Sequence, residues 1–423
     1  MSRFVVVADD LTGSCDAGHE FARRGYDTRV VLSPQSDRRS QGDVSVYDTA
    51  SRYVVPADAA ECVRTVLEGS DSPVVYKKVD STLRGNVRAE VEAATRAVSP
   101  DLVVVAPAFP ANGRVTACGY HLVDGQLVTE SPPGGDEERP PTHDSLPAFF
   151  ASSEYPVERV GVEAVSRGVT AVREAFESSC STEEPVVVAC DAVTDGHLET
   201  LATAADDFSG RCLYVGSGGL ARHVVVPGRP SGSDSSVDEN RSVVGVSGSV
   251  APETLEQVTA VSKDRRRQLD LETAVTDPST AGGDLASRGG AVAAEYGGVL
   301  LHSAETRDDV DRATVAGERA DVDGSTVRRR VSTALAIGAA EVAKDGHASN
   351  LFLTGGATAR AVLETLDATA LRMAGEEVAS GIPLATVEGG PADGVTAVTK
   401  AGGFGSERVI IKSLARLGLP DER

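Results

Sequence analysis

The feature that most constrains this chain is a regular alternation between short apolar runs and longer segments of helical periodicity. Strand-like runs lie at Arg3–Ala8, Thr28–Leu32, Ser72–Lys77, Asp101–Ala106, Pro185–Ala189 and Cys212–Gly216. Segments with helical periodicity lie between them, at Ser14–Arg24, Ala57–Leu67, Val87–Val98 and Val162–Glu177. Because continuous apolar strands are buried on both faces, the pattern predicts an α/β fold with mostly parallel strands flanked by helices.

The alternation is interrupted by a stretch rich in Pro, Gly, Ser and Asp at Val226–Arg241. It then restarts with SVVGVSGS, a helix from about Pro252, GGVLLHSA, a helix around Val327–Lys344, NLFLTGGAT and a last helix near Glu407–Leu417. The 423 residues also exceed the usual size of a single hydrophobic core. We therefore expect two domains, 1–228 and 241–423, each a mostly parallel sheet flanked by helices, with a linker at 229–240.

The chain is strongly acidic, with a formal net charge of −22. This charge disfavours nucleic acid as a partner, because a phosphate backbone selects for clustered Lys and Arg. The acidic residues are spread along the chain, a bias typical of the surface of a protein from a salt-adapted, halophilic cytoplasm. An anionic small molecule stays possible wherever cations gather locally.

Other features narrow the class of protein further. The six cysteines lie far apart, without a C-x-x-C pair, so we expect neither a structural zinc nor a disulfide framework. The N-terminus enters a strand pattern without a signal-peptide core, and no apolar run is long enough to span a bilayer. We expect a cytoplasmic protein that does not act at a membrane. The irregular segment Ser131–Leu146 is expected to be an ordered surface loop, with a flexible excursion as the alternative.

Polar stretches follow three of the strand-like runs: ADDLTG, KVDSTLRGN and APAFPANGR. Ligands of open parallel sheets bind beyond the carboxyl ends of the strands, so these stretches should share one edge. Arg84 and Arg114 offer planar groups that bind a carboxylate through two hydrogen bonds, and Lys78 adds a point charge. Together with Asp9 and Asp10 they predict a site for an anionic, hydroxylated ligand. The structural alternatives are a helix N-cap at Asp10 and a solvated strand end with a tight turn.

Glycine-rich stretches follow strand-like runs in the second half, at Gly245–Thr254, Leu353–Val362 and Thr399–Glu407. Glycine allows close backbone approach, and amide groups at a helix N-terminus bind phosphate oxygens, so the three stretches favour a nucleotide-phosphate site. The chain has no G-x-x-x-x-G-K-[ST] P-loop, and no G-x-G-x-x-G follows the first strand. GSGGLAR at Gly216–Arg222 is interpreted as tight packing or an interdomain contact.

In order along the chain, ADDLTGSCDAG, YKKVDSTLRGN, PAFPANGR, GSGGLA, SGS with a following threonine, LTGGATA and KAGGFGSE resemble the four-carbon acid sugar kinases. The resemblance covers nearly the whole chain. It implies an N-terminal domain for an acid sugar and a C-terminal domain for ATP, and phosphorylation of threonate, erythronate or their 3-oxo relatives. Ala401 departs from the pattern, because serine is common there in the family.

The resemblance also implies site residues. On the substrate side they are Asp9, Asp10, Lys78, Asp80, Ser81, Arg84 and Arg114. On the nucleotide side they are Ser247, Ser249, Gly355, Gly356, Thr358, Lys400, Gly402 and Gly403.

The resulting hypothesis is an ATP-dependent kinase of a small acid sugar. Asp10 or Asp9 would orient and deprotonate the hydroxyl, Arg84 and Arg114 would hold the carboxylate, and glycine-loop amides would bind the phosphates. Mg²⁺ is inferred from the nucleotide, since the sequence shows no metal-ligand cluster. Two alternatives stay open: a non-catalytic sensor of sugar acid and nucleotide, and an isomerase or epimerase of the same substrate class. A homodimer is possible.

Overall fold

The computed structural model describes residues 3–32, 42–68, 72, 74–180, 184–232, 241–345 and 350–419. The chain divides into two compact units, Met1–Gly232 and Ser233–Arg423. Both units are α/β with mostly parallel strands, which confirms the expected fold class. Most of the predicted linker falls on residues 233–240, outside the described residues, so the domain boundaries at 228 and 241 stay predictions.

The first unit contains eleven strands and eight α-helices among its described residues. The strands are β1 (Phe4–Ala8), β2 (Thr28–Val31), β3 (Val44–Asp48), β4 (Val74–Lys78), β5 (Leu102–Ala106), β6 (Arg114–Ala117), β7 (Tyr120–Val123), β8 (Gln126–Leu127), β9 (Val157–Val160), β10 (Val186–Cys190) and β11 (Cys212–Gly216). The helices are α1 (Leu11–Ala22), α2 (Pro56–Glu68), α3 (Val87–Val98), α4 (Leu146–Phe149), α5 (Val162–Ser166), α6 (Val169–Ser179), α7 (Asp195–Asp206) and α8 (Gly218–Ala221).

The main strands of this unit lie in the order β2-β3-β1-β4-β11-β5-β10-β9, and all of their pairings are parallel. Strand β1 is buried on both faces, as its unbroken apolar sequence predicts. On one face Phe4 packs against Phe21 of α1, with 5.0 Å between the ring centroids. On the other face Val5 and Val7 join a core that includes Val91 of α3. Strands β6, β7 and β8 form a separate antiparallel sheet, which the sequence analysis did not predict.

One local prediction in the first unit was wrong, and one strand was not predicted. The predicted helix Val162–Glu177 is two helices, α5 and α6, because Gly168 adopts a φ of +95° between them. Strand β3 was not predicted, because Ser45 interrupts its apolar run, in contrast to the unbroken run of β1. The segment Ser131–Leu146 is described throughout and contains a short 3-10 turn at Pro132–Gly135, in agreement with an ordered loop.

The second unit contains seven strands and seven α-helices among its described residues. The strands are β12 (Val243–Ser247), β13 (Arg266–Gln268), β14 (Gly298–His302), β15 (Asn350–Thr354), β16 (Ala370–Ala379), β17 (Ile382–Glu388) and β18 (Thr396–Lys400). The helices are α9 (Pro252–Ala260), α10 (Leu271–Thr276), α11 (Pro278–Tyr296), α12 (Arg307–Arg319), α13 (Gly324–Asp345), α14 (Gly356–Thr365) and α15 (Val409–Arg416).

The strands of this unit lie in the order β13-β14-β12-β15-β18-β17-β16. Those from β13 to β18 are parallel, whereas β17 pairs antiparallel with both β18 and β16. Helix α11 is rich in Gly and Ala, and these small residues allow close helix packing. A Cβ added at Gly282 would lie 2.8 Å from the Cβ of Ile337 on α13.

Candidate functional site

The polar stretches of the first unit meet at one edge because β1 lies between β3 and β4. Ala8, the last residue of β1, pairs with Asp48 of β3 and with Lys78 of β4. The loops that follow these three strands therefore leave the sheet side by side. Asp9 and Asp10 continue from β1, and Asp80 lies two residues after β4.

Arg52, in the loop after β3, binds both predicted catalytic aspartates. Its Nε and Nη2 donate to Asp9 Oδ2 and Oδ1 at 2.7 and 3.0 Å. Its Nη1 and Nη2 donate to Asp10 Oδ2 and Oδ1 at 3.0 and 2.7 Å. The N–H groups of the planar guanidinium thus bind both carboxylates at once, a geometry that suits arginine better than lysine.

The two aspartates respond differently to the same arginine. Burial would raise the pKa of Asp9, but the adjoining Arg52 guanidinium outweighs it and lowers this pKa below the usual range. Burial and the Asp9 charge raise the pKa of Asp10 in spite of Arg52. The Asp9 side chain is 2% exposed and that of Asp10 is 20% exposed, so Asp10 is the more accessible carboxylate.

Asp10 is also a helix N-cap, the structural alternative for this residue. Its Oδ1 accepts a hydrogen bond from the Gly13 amide at 2.9 Å, which caps the N-terminus of α1. A Cβ added at Gly13 would lie 2.7 Å from Asp10 Oδ1 and 3.1 Å from Lys78 Nζ. The glycine therefore leaves room for the carboxylate and the ammonium group to approach the first turn of α1.

Lys77 and Lys78 have different surroundings although they are adjacent. Lys77 is fully buried and forms an ion pair with Glu90 of α3 at 2.9 Å, which gives it a structural role. Lys78 Nζ donates to the Val79 carbonyl at 3.0 Å, and its charge favours the ionised forms of both Asp9 and Asp10, whereas Lys77 acts on Asp9. Lys78 is the lysine of the pair that lies among the site carboxylates.

Arg84 is bound to Asp80. Its Nε donates to Asp80 Oδ2 at 2.6 Å, and its Nη1 is 3.9 Å from Asp136 Oδ2. Burial opposes ionisation of Asp80, but Arg84 and then Arg52 lower its pKa well below the usual range, so it is a permanent carboxylate. Asp136 lies in the segment 131–146, which therefore contributes to this edge.

Ser81 and Arg114 both lie close to a buried histidine, His121. His121 Nε2 is 2.8 Å from the Ser81 carbonyl, and Nδ1 is 2.9 Å from Thr116 Oγ1. The carbonyl can only accept, so Nε2 carries the proton and Nδ1 accepts from the threonine. Burial lowers the pKa of His121 to about 4, and the charge of Arg114 acts in the same direction. The Arg114 guanidinium also donates to the Asn112 carbonyl.

In the second unit, the predicted glycine-rich stretches lie beside one another. Gly355 has a φ of +95° and precedes α14, whose N-terminus has no side-chain cap. A Cβ added at Gly355 would lie 3.1 Å from the Ser249 amide, and one at Gly402 would lie 2.5 Å from Ser249 Oγ. Gly356 is the first residue of α14. Three loops thus approach closely around Ser249, next to uncapped amides that suit a phosphate.

Buried hydroxyl groups line the same edge. Ser247 ends β12 and pairs in register with Thr354, which ends β15. Both are almost fully buried, and neither side-chain oxygen has a hydrogen-bond partner among the described residues. Because buried polar atoms are normally hydrogen-bonded, this pair fits a site that receives a polar ligand or water.

Other predicted nucleotide-side residues hold the loops in place. Lys400 Nζ donates to the carbonyls of Ala401 and Gly402, both at 2.9 Å, and to Thr254 Oγ1 at 3.1 Å. Burial lowers the Lys400 pKa to about 8. Thr358 Oγ1 contacts Ser332 Oγ at 3.1 Å. Gly403 lies in the same loop as Gly402, before the turn at Phe404.

Sequence reasoning missed several residues that organise these edges. Arg52 is the main one in the first unit, and the unrecognised strand β3 was the signal that could have revealed it. Asn86 Nδ2 holds the Arg52 loop by donating to the carbonyls of Ser51 and Val54, both at 2.9 Å. In the second unit, Gln257 Nε2 donates to the carbonyls of Phe404 and Gly405 at 3.2 and 3.0 Å.

Family models match both units of the chain. A sugar-binding N-terminal domain matches residues 4–224, and a nucleotide-binding C-terminal domain matches residues 244–410. The D-threonate kinase of Salmonella typhimurium is 33% identical over 97% of both chains. The chain belongs to the four-carbon acid sugar kinase family. The predicted family is thereby confirmed.

A second kinase and a solved structure are also similar to nearly the whole of this chain. The 3-oxo-tetronate kinase of Pseudomonas savastanoi is 27% identical, over 97% of this chain and 96% of that one. A solved structure of a Salmonella typhimurium protein, described as a putative tRNA synthase, has a TM-score of 0.80 at 23% identity. It covers 98% of this chain and 99% of that one, and at this identity it supports the fold alone.

Proposed function

We propose that this protein is an ATP-dependent kinase that phosphorylates a hydroxyl group of a four-carbon acid sugar. The observation that carries the proposal is the edge of the first unit where Arg52 joins Asp9 and Asp10. Lys78 and the Arg84–Asp80 pair lie at the same edge. Alternating cations and carboxylates suit a small molecule that has a carboxylate at one end and hydroxyl groups along its length.

The predicted substrate residues keep their roles as proposals. Arg84 and Arg114 bind the sugar carboxylate, assisted by Lys78, while Asp9 and Asp10 accept hydrogen bonds from the hydroxyl groups. Arg52 positions both aspartates, and Asp80 and Ser81 shape the loop that carries Arg84. Whether Asp9 or Asp10 also removes the proton from the reacting hydroxyl stays a prediction.

The second unit supplies the proposed nucleotide site. The amide of Gly356, at the uncapped N-terminus of α14, binds phosphate oxygens, with Gly355, Ser247 and Ser249 beside it. Lys400 and Thr358 support the loops. ATP supplies the phosphoryl group, and we propose that Mg²⁺ enters with its phosphates. The described residues contain no group of three or more His, Cys, Asp or Glu that could hold a metal ion.

D-Threonate is our first choice of substrate. The full-length relative named D-threonate kinase is 33% identical to this chain, whereas the one named 3-oxo-tetronate kinase is 27% identical. This difference in identity places D-threonate first among the candidate substrates, all of which are closely related four-carbon sugar acids. D-Erythronate and 3-oxo-tetronates therefore belong in the same assay.

The test is ADP release by the purified protein with ATP, Mg²⁺ and a panel of tetronates and oxo-tetronates, in molar KCl. We expect ADP only when a four-carbon acid sugar is present. A folded protein that binds sugar acid and nucleotide without releasing ADP would instead be a sensor. A sugar acid converted without ATP would indicate an isomerase or epimerase.

Substitution of Arg84 tests which unit binds the sugar acid. We expect Arg84→Ala to lower kcat/KM for the sugar acid, because a charged hydrogen bond is lost. The loss of transition-state stabilisation should be about 2–3 kcal/mol, and ATP affinity should be unchanged. Arg96→Ala is the control, since Arg96 forms surface ion pairs with Glu154 and Glu92. Loss of ATP binding with normal sugar-acid binding would reverse the two assignments.

A further inference from the structure

Asp16 of α1 lies at the proposed sugar-acid site but was not among the predicted site residues. It is one turn of helix after Gly13, so both residues lie on the same face of α1. That face meets Lys78, because a Cβ at Gly13 would lie 3.1 Å from Lys78 Nζ. The Lys78 charge favours the ionised form of Asp16 as well as those of Asp9 and Asp10, so one ammonium group lies among three carboxyl groups.

The carboxyl group of Asp16 extends toward the start of α8, the short helix that follows β11. A Cβ added at Gly218 would lie 2.4 Å from Asp16 Oδ2, closer than any side chain could stand. The glycine in GSGGLAR therefore leaves space for this carboxylate. Gly219 is also constrained, since a Cβ there would lie 2.7 Å from the Ala108 carbonyl oxygen, which agrees with tight packing, one of the two interpretations of this stretch.

Asp16 differs from its two neighbours in its hydrogen bonding. Asp9 and Asp10 accept four hydrogen bonds from Arg52 between them. In the part of the chain that the structure describes, the Asp16 carboxylate makes no hydrogen bond and no ion pair within 4 Å. It is partly exposed, so a ligand can reach it. A carboxylate that is not committed to an arginine is the better proton acceptor, because its charged form is less stabilised.

We propose that Asp16, in place of the predicted Asp9 or Asp10, is the catalytic base of the phosphoryl transfer, and that Asp9 and Asp10 orient the hydroxyl groups. The inference rests on the proposed kinase function. As the O–H bond of the sugar acid breaks, its proton passes to an Asp16 carboxylate oxygen. The alkoxide oxygen forms a bond to the γ-phosphorus of ATP while the bond between that phosphorus and the β–γ bridging oxygen breaks. The electron pair of the broken bond leaves with ADP.

The surroundings of Asp16 give it a pKa suited to this role. Burial raises the pKa to about 6, against the lowering effect of Lys78. A base with this pKa is ionised at neutral pH and still holds a proton strongly enough to accept one in the transition state. The charged and titratable groups that face it come from β4, from α1 and its cap, and from the residue after α8: Lys78, Tyr76, Glu20, Asp10 and Arg222.

The experiment compares the wild-type protein with Asp16→Asn, Asp16→Glu and the control Asp206→Asn. Burial also raises the pKa of Asp206. This residue, however, lies near Cys212 at the start of β11, whereas the proposed site lies at the C-terminal ends of the strands. We expect Asp16→Asn to lower kcat by about 100-fold or more and to leave the Kd values of D-threonate and ATP within about threefold. Asp16→Glu should recover part of kcat, and Asp206→Asn should match the wild type.

The pH profile separates a base from a structural residue. The wild-type kcat/KM should fall about tenfold per pH unit below pH 6, since Asp16 must be ionised. This acidic limb should be absent in Asp16→Asn. Wild-type kcat in that variant, or a limb that disappears in Asp10→Asn instead, would overturn the role of Asp16 and leave the kinase function intact. A wild-type protein that releases no ADP with any tetronate would remove both proposals.

Discussion

At the scale of single residues, Arg52 has the greatest influence on the first unit. It is 8% exposed and binds two carboxylates, and the Lys78 charge also favours the ionised form of both. Removing one partner from a buried ion pair leaves an uncompensated charge, which costs more than the pair itself contributes. The same contact orients the aspartates toward the proposed substrate.

We predict that Arg52→Ala lowers the free energy of unfolding by about 3–5 kcal/mol at pH 7 and reduces sugar-acid turnover by about 100-fold or more. Asp9 has a lowered pKa in the folded protein, so its stabilising contribution is present above its unfolded pKa and is lost as the pH falls through the folded value. The stability difference between variant and wild type should therefore shrink in acid. Urea unfolding at several pH values measures it.

The control for this substitution is Arg64→Ala. Arg64 pairs with Glu61 and Glu68 on the exposed face of α2, where solvent screens the charges. We expect wild-type turnover and almost unchanged stability. An Arg52→Ala variant as stable as Arg64→Ala would contradict a buried role for the Arg52 contacts.

At the scale of secondary-structure elements, the junction between β15 and α14 depends on backbone conformation. Gly355 provides the positive φ that turns the chain from the strand into the helix, and its amide donates a hydrogen bond to the Lys400 carbonyl at 3.3 Å. The helix begins without a side-chain cap, so its first amides stay available to an anion.

We predict that Gly355→Ala weakens ATP binding by about tenfold or more while D-threonate binding is unchanged. A Cβ at this φ costs about 1 kcal/mol or more, and it would meet the Ser249 amide at 3.1 Å. Calorimetric titration of each ligand gives both affinities. Gly324→Ala is the control, because Gly324 also begins a helix but has no positive φ. Equal ATP affinity in both variants would argue against a phosphate site at α14.

At the scale of the whole molecule, the main feature is the excess of negative charge. The formal net charge of −22 implies repulsion over the surface at low ionic strength. No described helix is long and apolar enough to cross a membrane. The halophilic surface, the cytoplasmic location and the possible homodimer stay predictions.

We predict that the melting temperature rises as KCl increases from dilute to molar concentration, because salt screens the repulsion between carboxylates. Differential scanning calorimetry over a KCl series measures the effect. A flat or falling melting temperature would contradict the halophilic interpretation. Sucrose at matched osmolality is the control, since it stabilises without screening charge.

The sequence by itself determined the elements whose pattern is local. The strands from β1 to β5 and helix α3 lie where apolar periodicity places them, except for β3, whose run was not recognised. The family was also readable, because short motifs such as KVDSTLRGN keep their residue order. The glycine-rich junctions after β15 and β18 were likewise visible as sequence.

Tertiary structure decided which side chains meet. Arg52 contacts Asp9 and Asp10 only because β3 and β1 are neighbours in the sheet, and strand order is not encoded in any one segment. The same arrangement lowers the pKa of Asp9 and raises that of Asp10, a difference that two adjacent aspartates do not reveal as sequence. Pairing of β12 with β15 likewise brings Ser247 beside Thr354, more than a hundred residues apart in the chain. Burial and charge act through space, so they follow the packing of the strands.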